Sequence, residues 1–415
     1  MEEQLKVDFE NFVKSSKLSS KNIELKRDKF NYFFEKGFPN KRDENWKFSD
    51  LNHIISKNIK KLSFYNDFSK SKQIDESIFI DNLEHNKLVF VNGKLEKTEF
   101  NYEETNKVEI MEDLNLLNEK NNINSLTSLN NAFTDKHYKL TVKKNYTLKK
   151  PLIIYNITNE DLKSKNLNLR FNILLEENSY LKIIDILSDK SKNNFLNTYY
   201  QYEIKKNSIL KNYKIDRKFN SNIKYFYNNI NQETNSVSEI FILSSGSDFI
   251  KNEINCNLNG KYASTFVNGI ITLKNLQHHE IKTNINHLTE STKSYQLIKS
   301  VLDNDSKAVF QGKIFADSKA QKTDGYQLSK AILLNNNTEF NAKPELEIYA
   351  DDVKCSHGSA SGNLNENSIF YLMSRGLNYQ EAKNLLINGF LLDVIEKITD
   401  SEIKKIIKNI MDFKE

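Results

Sequence analysis

Between Leu88 and Ala350 the chain reads as one short strand-forming run after another, and few of the gaps could hold a helix. The runs include "LVFVNG", "HYKLTV", "PLIIYNI", "LNLRFNILL", "YLKIIDIL" and "FLNTYYQYEI", and they continue through "VSEIFIL", "YQLIKSVL" and "PELEIYA". In "AVFQGKIFA" the residues Ala308, Phe310, Gly312, Ile314 and Ala316 alternate onto one side, which is the strand period of two. About 250 residues of consecutive strands are too many for one sandwich and suit a large barrel, a propeller or a solenoid. An internal echo chooses among these. "NSYLKIIDI" (178–186) and "NSILKNYKI" (207–215) share N-S-x-L-K-x-x-x-I. A repeat offset under about fifty residues is what stacked coils produce, because each coil offers equivalent positions to the next. The expected core is therefore a β-solenoid.

Both ends read differently. In the first 85 residues Phe9, Phe12 and Val13 fall at helical spacing, and Leu51, Ile54, Ile55, Ile59 and Leu62 share one helical face. Between them lies "DENWKFSDL", with the only tryptophan, Trp46. After Pro344 the pattern turns helical again. Asn378 with Glu381 forms a capping-box pattern ahead of Ala382, Leu385, Leu386, Phe390, Val394 and Ile395, and Thr399 with Glu402 forms a second. The expected division is a helical unit over 1–85, a solenoid over 86–350 and a second helical unit over 351–415.

Composition excludes several classes of function. A net charge of +5, with lysines interleaved among acids, makes no basic stripe for nucleic acid. Two cysteines cannot build a disulfide framework and fit a reducing compartment. The first residues lack the apolar core of a signal peptide, and no window is long and apolar enough to span a membrane. The expected location is the cytoplasm. No phosphate-binding G-x-x-x-x-G-K-[ST] or G-x-G-x-x-G occurs, so no nucleotide is expected on this chain. With only 11 glycines, the turns must use Asn and Asp at left-handed positions.

The residues that could carry chemistry are few. Cys355 and His357, two apart in "DDVKCSHGSASG", would face the same side of a strand. They leave three readings open: a soft pair for a metal ion, a nucleophile with its base, or a packed thiol beside a hydrogen-bonded imidazole. Two ligands do not make a site, since clusters and structural zinc need about four. Cys256 alternates with Ile254 and Leu258 and reads as core. Of the adjacent pair His278 and His279, at most one shares a face with His287. Asp351 and Asp352 raise the carboxylate chemistry of a β-helix polysaccharide lyase or hydrolase, but adjacent residues point apart and a solvated turn is the default.

The last third of the chain resembles a known family. "KPELEIYADDVKCSHG" (343–358), "FYLMSRGL" (370–377) and "EAKNLLINGF" (381–390) are similar to the SufB/SufD family of iron–sulfur cluster assembly proteins. "DENWKFSDL" and "VFVNGKL" look like its N-terminal helical segment and first strand. The chain is nearer the SufD members. It reads "CSHGSAS" where SufB-like sequences read "EHEAT", and it has no cysteine inside "FYLMSRGL". One small departure is Ser359, Ala360 and Ser361 where the family often has Ala–Thr. The resemblance implies a right-handed parallel β-helix with flanking helical domains, acting as a non-enzymatic scaffold. It implies pairing with SufB, and docking of the SufC ATPase at about 374–398, where Arg375, Gly376, Leu385, Leu386 and Phe390 are the candidate contacts. It further implies that His357, with Cys355 beside it, contributes to a transient iron–sulfur cluster shared with the partner chain. A SufB-like homodimeric scaffold is the alternative, the isolated chain could pair with itself, and a plastid stroma would serve as well as a bacterial cytoplasm.

Overall fold

The computed structural model describes residues 2–16, 18–65, 74, 78–81, 83–112, 123–134, 136–216, 221–411 and 413. Parts of the expected N-terminal unit (66–73, 75–77 and 82) therefore lie outside the described residues. Among the described residues seven α-helices occur: α1 (Glu2–Ser15), α2 (Ser20–Lys36), α3 (Leu51–Asn58), α4 (Ser125–Phe133), α5 (Glu366–Ser374), α6 (Tyr379–Ile395) and α7 (Ser401–Ile410). The strands begin with β1 (Asn86–Val91), β2 (Lys94–Glu99), β3 (Val108–Glu112), β4 (His137–Val142), β5 (Leu152–Thr158) and β6 (Asn166–Leu175). They continue with β7 (Tyr180–Asp189), β8 (Phe195–Ile204), β9 (Ile209–Asp216), β10 (Ile223–Gln232), β11 (Val237–Ser244), β12 (Phe249–Leu258) and β13 (Ser264–Leu273). The series closes with β14 (His278–His287), β15 (Lys293–Leu302), β16 (Lys307–Ala316), β17 (Thr323–Leu333), β18 (Glu339–Ile348) and β19 (Val353–Asn363).

Successive strands alternate between two sheets. The first runs β19-β17-β15-β13-β11-β9-β7-β5-β1-β2 and the second β18-β16-β14-β12-β10-β8-β6-β4-β3. Every pairing is parallel except β1 with β2 and β3 with β4. The result is a parallel β-solenoid of about eight turns, as the internal echo predicts. Tyr180 lies opposite Ile209, so the two copies of N-S-x-L-K sit one coil apart.

The inner faces fill the lumen with a continuous apolar core that includes Leu181, Leu210, Ile254, Cys256, Leu258, Ile285 and Phe310. Full burial of such a side chain stabilises by about 1.5–3 kcal/mol. The corners behave as the scarcity of glycine requires: among the described residues nine asparagines, but only three glycines, stand at positive φ.

Both outer faces are covered in part by helices. On the nine-stranded sheet Phe9, Phe30, Phe33 and Trp46 pack with Phe195, Tyr199, Tyr225 and Phe249. Trp46 is fixed there by Lys251, whose ammonium stands 4.4 Å from the indole and donates to the Asn45 carbonyl at 2.9 Å. Helix α4 joins this unit through Leu126, Leu129 and Phe133, so the N-terminal helical unit is wider than 1–85. On the ten-stranded sheet Leu391, Val394, Ile395, Ile403 and Ile407 pack against Tyr213, Phe241 and Ile270.

Three expectations at the C-terminal end change. Pro344 lies inside β18, and the strands run on through β19 to Asn363, so the helices begin at Glu366 and not at 351. An edge strand is one of the few strand settings that admits proline. The second capping box is not formed from Thr399; Asp400 is the N-cap of α7 and accepts from the amides of Glu402 and Ile403 at 3.1 and 3.0 Å. The first is as expected, with Asn378 and Glu381 bonding each other's backbone.

Candidate functional site

The two ends of the solenoid differ. At the first end the antiparallel strands β2 and β3 close the sheets, and their charged residues blunt the edge. At the other end β18 pairs only with β16 and β19 only with β17. Among the described residues nothing caps this last coil, and most of β19 is exposed. Solenoids need a polar cap or a partner at each end, because an open coil leaves strand edges and core exposed.

Cys355 and His357 both lie on β19 at this open mouth. Their register partners on β17 are Gly325 and Gln327, which are buried, so both side chains share the inward-facing parity. A methyl built on Gly325 would meet Cys355 Sγ at 3.4 Å, an ordinary contact, and Ile314 Cγ2 at 3.3 Å, so the thiol packs directly over this position. Cys355 is half-buried, and burial pushes its thiol up. His357 is exposed, and its ring makes no hydrogen bond among the described residues. Across the mouth, β18 brings Phe340, Ala342, Pro344, Leu346 and Ile348 to the inward parity, through their pairing with Ala308, Phe310, Gly312, Ile314 and Ala316. The mouth is thus apolar on one wall and carries a thiol and an imidazole on the other.

This donor pair suits iron or zinc, yet it is incomplete. Among the described residues no group of three or more His, Cys, Asp or Glu could hold a metal ion. A cluster placed here would take its remaining ligands from sulfide, solvent or another chain. For a nucleophile and base the arrangement lacks an orienting third group, and the raised thiol works against a thiolate.

The other candidates separate cleanly. Cys256 is fully buried, as expected of core, and burial pushes its thiol up to about 12. His279 and His287 face inward, but as satisfied interior residues: His279 bonds Ser244 and Ser247, and His287 bonds Thr292 and Ser294. His278 points outward beside Glu280, 2.9 Å away. Asp351 and Asp352 are exposed in a turn, where the Asp352 amide donates to Gln321.

The expected docking helices present a second surface. Helix α6 is apolar on two sides, burying Ala382, Leu391, Val394 and Ile395 while leaving Leu385 51% and Leu392 36% exposed. Leu386 and Phe390 are half-buried, and Lys299 stands 4.6 Å over the Phe390 ring. Gly376 ends α5 at φ +98, a left-handed position, and exposed Arg375 lies against Tyr371. Sequence reasoning left out the most exposed apolar residue here, Phe370 at 74%, along with Tyr371 and Tyr379. The signal for the first two was the adjacent aromatic pair in "IFYLMS", whose members lie on the same helix one residue apart. Scattered apolar residues are ordinary on a surface, but a contiguous group marks an interaction site.

Comparison with known proteins places the chain in a family. Residues 156–390, more than half of the chain, match the family described as "SUF system FeS cluster assembly, SufBD core domain". The chain is 26% identical over 377 residues to the iron–sulfur cluster assembly protein SufD of Escherichia coli, covering 89% of this chain and 87% of that protein. It is 26% identical over 386 residues to a SufBD family protein of Synechocystis, covering 87% and 84%. Over 255 residues it is 30% identical to the chloroplastic protein ABCI7 of Arabidopsis thaliana, covering 60% and 54%. No described helix is long and apolar enough to cross a membrane. The chain belongs to the SufB/SufD family and serves iron–sulfur cluster assembly in the SUF system.

Proposed function

We propose that this chain is the SufD-like, non-catalytic scaffold subunit of a SUF assembly complex. Its uncapped solenoid end pairs with SufB, and its C-terminal helices carry the SufC ATPase. The observation that carries this reading is the open last coil, with free edges on both β18 and β19 beside Cys355 and His357. An exposed edge is a template for a further strand, and an equivalent solenoid end offers two. Pairing there would bring a partner's ligands to the mouth, where the nascent cluster is cargo and His357 an iron ligand. The exposed residues Phe370, Tyr371 and Leu385 on α5 and α6 suit a second partner.

The test is co-expression with SufB and SufC. The expected outcome is a stable three-component complex in which Leu385→Glu releases SufC but leaves SufB bound. His357→Ala should keep both partners and lower the iron and sulfide recovered with the complex. Failure to retain SufB would sink the pairing, and unchanged iron and sulfide would sink the ligand role. The open edges are also self-complementary, so the mass of the purified chain decides whether it pairs with a second copy when alone.

A further inference from the structure

The N-terminal unit does not lie flush on the nine-stranded sheet. Between its Asn45 and Asn124 and the outer face of β12, β14, β16 and β18 it leaves a cavity of about 260 Å3. Two neighbouring columns of outward-facing residues line it. Glu253, Lys282 and Gln311 follow one another in register on β12, β14 and β16, and Asn284, Lys313 and Glu345 run beside them on β14, β16 and β18. The volume falls just below the range of drug-sized sites, about 300–1,000 Å3, and suits a small polar molecule.

Three polar atoms of the lining residues are left over. Glu253 is 5% and Gln311 4% exposed. The Glu253 carboxylate has the Tyr225 phenol beside it and Lys282 Nζ 3.7 Å from its Oε2, but its Oε1 has no hydrogen-bond partner. Gln311 Nε2 has none, and neither has Asn284 Oδ1, where the chain of side-chain amides rising from Asn229 through Asn255 ends. The lysines are occupied elsewhere: Lys282 donates to Asn45 Oδ1 at 2.6 Å, and Lys313 pairs with Glu347. Buried polar atoms are nearly always paired, so two acceptors and one donor among the residues of one cavity require a molecule that brings both kinds of group.

Charge narrows the class of that molecule. Lys282 and Lys313 stand against Glu253 and Glu345, so the wall has no net formal charge. An anion would meet two carboxylates and a cation two ammonium groups, whereas a zwitterion matches both. Spacing narrows it further. Glu253 and Gln311 are two coils apart, about 9.6 Å at about 4.8 Å per coil, and side chains standing upright on a sheet keep that separation. The ammonium and carboxylate of an α-amino acid, about 3 Å apart, with a hydrogen bond of about 2.9 Å at each end, span about 9 Å.

We propose that this cavity binds a free α-amino acid: its ammonium donates to Glu253 Oε1, with Asn284 Oδ1 as a second acceptor, and its carboxylate accepts from Gln311 Nε2.

The experiment is isothermal titration calorimetry of the full chain with glycine and L-serine, beside methylamine and acetate, which each carry one of the two charges. Both amino acids are expected to bind at least about 10-fold more tightly than either half, the worth of one hydrogen bond to a charged group. Glu253→Gln, which keeps the shape and removes the charge, and Gln311→Leu should each weaken amino-acid binding by about 10- to 100-fold. Asn257→Ala, outside the cavity, should leave it unchanged. If Gln311→Leu does not fold, Gln311→Glu, which sets a like charge against the carboxylate, takes its place, and the comparison with the two halves needs no variant. Amino acids that bind no more tightly than methylamine or acetate, or that bind Glu253→Gln as well as the wild type, overturn the proposal. So does a cavity held by water alone, with neither amino acid bound at up to about 10 mM.

Discussion

Asn207 donates its side-chain amide to Asn178 across 2.8 Å, one coil below, and both residues hold a left-handed backbone at φ +60 and +57. Each asparagine therefore does two jobs at its corner. It adopts a conformation that other side chains resist, and it ties its coil to the next. Asn207→Gly keeps the backbone and loses the bonds to Asn178 and from Asn235, whereas Asn207→Ala loses these and strains the backbone too. We expect a cost for glycine of about 0.5–1.5 kcal/mol for each of the two hydrogen bonds. Alanine should cost about 1–2 kcal/mol more, from the left-handed strain. Urea midpoints check this; an alanine variant as stable as the glycine variant would refute the backbone half of the argument.

The same pair explains how far the sequence could be read. The echo at 178 and 207 was visible because stacked coils put equal demands on equal positions. The site was harder. That Cys355 and His357 share a side follows from their spacing, but which side, and that nothing covers it, depends on β19 being the last strand. Its inward positions, Cys355, His357, Ser359 and Ser361, carry no apolar alternation, since an open mouth has no core to fill. For the same reason residues 351–363 read as the start of a helical unit. Thr399 and Asp400 both have capping side chains, and only the carboxylate, accepting two amides at once, ends up in place.

Lys251 and Glu280 meet at 2.5 Å with both side chains fully shielded from solvent. Burial opposes ionisation of Glu280, but Lys251 and His278 outweigh it and hold the carboxyl below its usual range. Lys251→Ala leaves that carboxylate without its main partner and frees Trp46 and Asn45 from their anchor. The expected cost is about 3–5 kcal/mol, whereas the double change Lys251→Met with Glu280→Leu should recover most of it. Chemical denaturation of the two variants beside the wild type is the check. A double variant no better than the single would show that the lysine acts through the N-terminal unit and not through the charge pair.

The two thiols should differ in reactivity by orders of magnitude. Cys355 is half-buried at the mouth, whereas Cys256 is sealed in the lumen beside Gln232, 3.2 Å away, its thiol pushed up to about 12. At pH 8 such a thiol is ionised to about one part in ten thousand. A maleimide or disulfide reagent should modify one cysteine of the native chain, and the second only on unfolding. The Cys355→Ser variant should then be inert when folded. Added SufB should protect Cys355 if the mouth is the interface; undiminished labelling in the complex would place the interface elsewhere.

Four buried histidines, His85, His137, His279 and His287, are all lowered by burial and give the fold a pH dependence of definite sign. Burial lowers His279 to about 3 and His287 to about 4, so both stay neutral in the folded chain throughout the mildly acidic range. The unfolded chain takes up its protons near the ordinary value of about 6.5. Below that pH the unfolded state binds more protons than the folded one, so stability falls as pH falls. The contribution is fully present above about 6.5 and declines by about 1.4 kcal/mol per pH unit for each histidine until the folded value is reached. The urea midpoint should therefore drop between pH 7 and 5, and His287→Gln, whose amide can still meet Thr292 and Ser294, should flatten the drop by about one histidine's share. A midpoint that does not move over this interval would mean that the imidazoles are charged, or solvated, inside the solenoid.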